Sequence, residues 1–274
     1  MDWETFHHPD WSLPVVKRRL SEEWIDLLSG VGDVLASNGR SLAWNKTYPS
    51  QAAYYSAMSR LRKVGLVVRH DDEGNLPHLK LTPQGRARLP AYHRPDKFWD
   101  SRWNGIWYTL IFDVPETERH YRDTLRGFLK RMHMGCLQKS VWITPRDIRP
   151  EYADLERAAS VNTVSYLLES RTVLHQETQE LVLDAWNFNK LHELQSRYLA
   201  VYTSNLQQLR KEVFGEDALM TLLYQEAEAY IQCMHRDPLL PADLLPNEYL
   251  GRNVFGLHNT LRKSIACALS EPYI

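Results

Sequence analysis

The residues best placed to do chemistry in this chain recur along one short segment. Gln51, Tyr55, Ser59 and Arg62 follow one another at intervals of four, four and three, with Tyr54 and Lys63 beside them. At helical pitch they share a face. Their amide, phenol, hydroxyl and guanidinium ends can donate and accept along base edges in a major groove, while Arg60, Lys63, Arg69 and Lys80 can hold phosphates. Ser50 has the type and place of an N-cap. A solvated helix surface uses the same residue types, so spacing alone leaves both readings open.

A second chemistry is conceivable at Asp113, where a hydrophobic segment stops before Val114-Pro115. A strand-end carboxylate is one oxygen ligand of the kind a magnesium ion takes, although one per subunit is thin support for a metal. Asp before Val-Pro is also an ordinary turn or helix cap, and Glu116 and Glu118 fall beyond the proline in an expected loop. His133-x-x-Cys136 and Cys233-x-His235 each have the form of half a zinc site without a second half in sequence, which favours buried thiols.

These residues need elements to position them. Residues 22–37 read as a helix with Trp24, Leu27, Leu28, Val31 and Leu35 on one face. Residues 51–64 read as a second, with Ala53, Ala57, Leu61 and Val64 inward and Gly65 ending it. Residues 66–69 and 78–82 read as strands around the turn 71–75, and Pro83-Gln84-Gly85 as a turn into a last basic stretch. This is a winged helix-turn-helix layout. Residues 90–95, with a proline at each end, read as an extended spacer.

Further on, residues 107–114 are dense in β-branched and aromatic types and read as a buried strand. Residues 118–132 form an amphipathic helix, with Tyr121, Leu125, Phe128, Leu129 and Met132 against Arg119, Arg122, Arg126 and Lys130, closed by Gly135. A strand or hairpin at 140–144, a helix at 149–159 and a strand at 161–169 complete the split βαβ order. From about residue 181 the pattern is helical, with apolar faces at Phe188, Leu191, Leu194, Tyr198, Leu199 and Tyr202, over 218–234, and over 254–269.

At 274 residues, 43% of them hydrophobic, with nine Trp and fourteen Tyr, the chain can build two or three cores. No run approaches a membrane span, the first residues do not read as a signal peptide, and three unpaired cysteines suit a reducing compartment, so a cytoplasmic protein is expected. The net charge of −1 conceals an uneven distribution. Residues 36–90 hold nine Lys or Arg against three acids, and residues 172–274 eight against thirteen. The wing and this balance tilt the first segment toward a polyanion partner.

Two phrases carry a resemblance. Gly105-x-Trp107-Tyr108-x-x-Ile111-Phe112-Asp113-Val114-Pro115-Glu116, the Arg-rich helix, and Gln138-x-Ser140-Val141-Trp142-Ile143-Thr144-Pro145 resemble the PaaX family of bacterial transcriptional repressors. So does Asp237-Pro238-x-Leu240-Pro241-x-x-Leu244-Leu245-Pro246-Asn247-Glu248-Tyr249-x-Gly251, where the family usually has Trp at the place of Tyr249. Ser59-Arg60-Leu61 matches a family triplet. An Arg common near the helix start is replaced by Tyr54 or Tyr55, which bears on the operator sequence and not on the mode of binding. The central segment also resembles the small ferredoxin-like subunit of the CRISPR adaptation machinery, whose relatives include metal-dependent nucleases.

The resemblance implies an α+β protein: a winged-helix DNA-binding domain over residues 18–90, a ferredoxin-like dimerisation domain over 99–175, and a helical C-terminal domain over 180–274 that senses an effector. It implies a homodimeric repressor of operator DNA, released by an aryl- or acyl-CoA. Trp186, Tyr198, Tyr202, His235 and Arg236 are candidates to line a pocket, although aromatics at helical spacing are more often core. No enzymatic activity and no cofactor is expected. The alternatives are a nuclease centred on Asp113 and a non-catalytic DNA-binding adaptor in a defence system.

Overall fold

The computed structural model describes residues 3–6, 51–70, 78–87, 91–159, 165–172 and 176–270. The expected helix at 22–37, the cap Ser50, the turn at 71–75 and the first residues of the strand at 161–169 lie outside them. The chain divides into two compact units. One comprises Met1–Arg94, Ser196–Ile231 and Asn253–Ile274, the other Pro95–Gln195 and Gln232–Arg252. Helices and an antiparallel four-stranded sheet make it α+β.

In the first unit, α1 (Gln51–Lys63) leads into an antiparallel hairpin, β1 (Val67–His70) and β2 (His78–Leu81). The helix ends on Gly65 at φ 73°. Leu66 N–H donates to the Leu61 carbonyl and Gly65 N–H to that of Arg62, both at 3.0 Å, which is the Schellman pattern. Leu61 and Leu66, the residues whose contact usually accompanies it, are both buried. Val64, expected inward, is 54% exposed, because the helix has already closed there. The segment expected as a turn after β2 is a short helix, α2 (Pro83–Ala87), capped by the Thr82 hydroxyl accepting from Gly85 N–H at 2.9 Å. A Cβ on Gly85 would lie 2.2 Å from the Leu66 carbonyl oxygen, so only glycine fits this close approach.

The expected extended spacer is instead a 3-10 turn, Ala91–His93. Tyr92 is buried and its carbonyl accepts from the Tyr230 hydroxyl at 2.7 Å, so packing overrides what the two prolines favour. Trp3 is anchored in the same unit, donating to the Ala218 carbonyl at 2.8 Å, and Glu4 exchanges hydrogen bonds with the Asn205 side chain.

The second unit begins with α3 (Asp96–Trp99) and centres on β3 (Trp107–Phe112), β4 (Gly135–Gln138), β5 (Val141–Thr144) and β6 (Ser165–Ser170). Their order is β4-β5-β3-β6, every neighbouring pair antiparallel. Two helices cross between strands, α4 (Arg119–Arg131) and α5 (Arg149–Ala159). Alternation along β3 sends Tyr108, Leu110 and Phe112 to one face, where they pack with Leu125, Phe128 and Leu129 of α4 and Tyr152 of α5. Trp107 goes to the other face and meets Leu181, Val182, Ala185 and Trp186 around α6 (Thr178–Ala185). The expected loop after Pro115 is a 3-10 turn, Glu116–Glu118.

Gly135 was expected to close α4, but His133 does so. It sits at φ 55°, with Met134 N–H donating to Leu129 and His133 N–H to Lys130. Gly135 starts β4 instead, because a Cβ there would lie 2.7 Å from Ala185 and Trp186. The remaining helices are α7 (Phe188–Lys211), α8 (Glu216–His235) and α9 (Gly251–Ser270), and the boundaries of the two units fall within them. No helix among the described residues is long and apolar enough to cross a membrane.

Candidate nucleic-acid interface

The elements that carry the expected contacts are adjacent in the fold. Gln51, Tyr54 and Tyr55 lie in the first part of α1, Ser59, Arg60, Arg62 and Lys63 in its second. Of these last four every side chain is exposed. Arg69 is on β1 and Lys80 on β2, in a register that pairs Val68 with Lys80 and Arg69 with Leu79. Those positions are one step apart along the ribbon and so fall on its opposite faces.

Three cations in the last turn of α1 also complement the helix dipole, which accounts for part of their placement. It does not account for the rigid join to the hairpin. The Gly65 cap, the Thr82 hydroxyl donating to the Gly65 carbonyl at 2.6 Å, and Thr82 N–H donating to the Leu66 carbonyl tie the end of the helix to both strands.

Asp113 is exposed at the end of β3. Glu116 pairs with Arg122, whose guanidinium holds the carboxyl below its usual range. His133 and His235, one from each motif with the form of half a zinc site, come within 6.4 Å between ring centroids. Among the described residues, however, no group of three or more His, Cys, Asp or Glu could hold a metal ion. His133 Nδ1 is committed to the Asp237 carbonyl at 2.6 Å, and burial with the nearby Arg146 pushes its pKa down to about 4. Trp186, Tyr198 and Tyr202, the pocket candidates, are buried core, whereas His235 and Arg236 are exposed.

Two buried polar clusters have partners that the sequence reading did not bring together. In the second unit, Asp237 is fully buried and accepts from Gln195 Nε2 at 3.0 Å, Tyr249 Oη at 2.5 Å and Leu239 N–H at 2.9 Å. Burial pushes its carboxyl up to about 6 against those hydrogen bonds. The proline-rich signature is thus a knot tied around one carboxylate. In the first unit, Glu226 Oε1 accepts from Tyr198 at 2.5 Å and from His258 Nδ1 at 2.7 Å, and Arg262 Nη1 donates to His258 Nε2 at 3.2 Å. Tyr230 stacks on His258 with centroids 3.6 Å apart. The helical periodicity of α8 and α9 marks these positions as inward, and a charged residue at an inward position was the signal available.

Residues 100–182 match the family description PaaX protein central Cas2-like domain, and residues 186–273 match PaaX-like protein C-terminal domain. The chain belongs to the PaaX family. No curated protein matches it. Among solved structures, an uncharacterized protein from Mycobacterium tuberculosis is similar at a TM-score of 0.54 and 18% identity, over 91% of this chain and 97% of that one. That likeness concerns the fold alone. Family membership points to transcription regulation.

Proposed function

We propose that the protein is a sequence-specific DNA-binding transcriptional repressor rather than an enzyme, acting as a cytoplasmic homodimer. The observation that carries the reading is the exposed Ser59, Arg60, Arg62 and Lys63 on a helix whose end is locked to an antiparallel hairpin. In this reading α1 is the recognition helix and β1–β2 the wing of a winged helix-turn-helix over residues 18–90. Ser50, Gln51, Tyr54, Tyr55, Ser59 and Arg62 face the groove, and Arg60, Lys63, Arg69 and Lys80 grip phosphates.

The strand order β4-β5-β3-β6, antiparallel throughout, supports a ferredoxin-like domain over residues 99–175 that pairs two copies. Linking two half-site contacts makes the second effectively intramolecular and so raises affinity without new contacts. The helical domain over 180–274 takes an acyl-CoA effector that favours the DNA-incompetent arrangement. An effector with equal affinity for free and DNA-bound protein shifts nothing.

The test is competition between DNA from upstream of the protein's own gene and scrambled duplex. The proposal expects a preference of about 10³-fold or more, of the order typical of specific readers, that Arg62→Ala reduces. Equal binding to both duplexes contradicts it.

A further inference from the structure

The cations of α4 are not used by the winged-helix reading. This helix carries five Lys or Arg and a single acid, Asp123. From residue 124 to residue 146 the chain has no Asp or Glu at all, yet it holds Arg126, Lys130, Arg131, Lys139 and Arg146. Arg146 is spent internally, donating to the Met132 carbonyl and lying over the Phe98 ring. Arg119 pairs with Asp123 at 3.9 Å and Arg122 with Glu116. Arg126, Lys130, Arg131 and Lys139 have no acidic partner among the described residues.

Their arrangement is not one that stabilises a helix. Arg122, Arg126 and Lys130 follow at intervals of four, and like charges so spaced oppose helix formation. The helix dipole compensates Lys130 and Arg131 in the last turn, but not Arg126 in the middle. Four residues advance about 6 Å along the axis, the scale on which phosphates recur along a nucleic-acid strand. Burial raises the pKa of the Cys136 thiol on β4, an edge strand of the sheet, and the positive charges of Arg126 and Lys130 oppose that rise. There Cys136, Gln138 and Lys139 are exposed, and Leu137 packs inward.

We propose that this face of α4, with Arg126 and Lys130 at its centre, is a second, sequence-independent contact for the phosphate backbone of duplex DNA. The occupant is a polyanion and not a protein, because among the described residues of this face no large hydrophobic side chain is exposed to anchor a protein interface, whereas charge alone suffices for a phosphate strand. The inference rests on the DNA-binding reading above and adds a contact outside the winged helix.

The experiment compares the full chain with the Arg126→Gln/Lys130→Gln double variant, binding the upstream duplex over a salt series, with thermal melting and oligomeric state measured in parallel. Lys190→Gln/Lys211→Gln, which removes the same charge from exposed positions on α7, is the control. The expected result is a log–log salt dependence shallower by about 1.8 per protomer, and so about 3.6 for a bound dimer, in the α4 variant, since each phosphate left without its cation lowers the slope by about 0.9. Preference over scrambled duplex should stay unchanged, and the control should keep the wild-type slope. A wild type that binds duplex while the α4 variant keeps its slope overturns the α4 proposal and leaves the winged-helix reading standing. A variant that changes oligomeric state at unchanged slope overturns it in favour of a protein interface. A wild type that binds no duplex overturns both.

Discussion

The Tyr249 hydroxyl donates to a carboxylate oxygen of Asp237 at 2.5 Å across twelve residues of proline-rich chain. Gly251 lies directly beneath: a Cβ there would stand 2.0 Å from the Tyr249 hydroxyl and 2.7 Å from Asp237 Oδ2. This explains why the signature ends as it does. The family's usual Trp at this place also presents a single ring-edge donor, so Tyr249 preserves the chemistry while changing the ring.

Tyr249→Phe should therefore leave a buried carboxylate short of one donor, at a cost of about 1–3 kcal/mol. Tyr249→Trp should recover most of it. Urea unfolding of the three proteins checks this, and equal destabilisation in both variants would show that the phenol acts only through packing.

The same carboxyl sets a pH dependence. With its pKa raised from 3.8 to about 6, Asp237 binds a proton more readily folded than unfolded, so its contribution to stability falls as pH rises from about 4 to 6. His133 does the opposite: lowered from 6.5 to about 4, it costs stability as pH falls from 6.5 to 4. The two slopes oppose each other in the wild type. Asp237→Asn should unmask acid destabilisation across that window, and His133→Gln should unmask acid stabilisation. Each slope is at most about 1.4 kcal/mol per pH unit. Melting temperatures from about pH 4 to 7, the window these shifts define, read this directly.

How far the chain can be read without its fold is shown by these same residues. The strands at 107–114 and 140–144 and the helices at 118–132 and 149–159 follow from local periodicity, and the structure places them within a few residues of expectation, whereas the strand β4 was not expected. The end of α4 does not follow from periodicity. His133 adopts a left-handed backbone because its ring is bonded to Asp237 and its carbonyl accepts from Trp186 at 3.1 Å, partners 104 and 53 residues away. Tyr92 likewise turns a proline-flanked spacer into a 3-10 turn through a partner 138 residues distant. The exposed cations of α1 were legible because their spacing is local. The Asp237 and Glu226 clusters were not, because their partners meet only in the folded chain.

His258 offers a spectroscopic check. Arg262 can only donate, so Nε2 must be the bare nitrogen and Nδ1 must carry the proton given to Glu226. Burial holds its pKa below 6.5, with Arg262 adding to that effect against Glu226. Nitrogen-15 imidazole shifts at pH 6.5 should show a neutral ring protonated on Nδ1, and Arg262→Met should raise its pKa. An imidazolium at that pH contradicts the network.

Two glycines in the first unit should separate in cost. Gly65→Ala strains a residue at φ 73° and should destabilise by about 1–2 kcal/mol. Gly85→Ala drives a Cβ into the Leu66 carbonyl oxygen and should cost more. Denaturant titration ranks them, and the reverse order would mean that α2 moves freely away from Leu66.

The central claim is tested most directly by binding the purified protein to its own upstream DNA over a series of salt concentrations, with and without magnesium, and inspecting the DNA for cuts. A repressor reading α1 in the major groove predicts tight binding, selective over scrambled duplex, that weakens steeply with salt and leaves the DNA intact. Binding without sequence preference at every salt concentration, or magnesium-dependent cleavage abolished by Asp113→Ala, would contradict it.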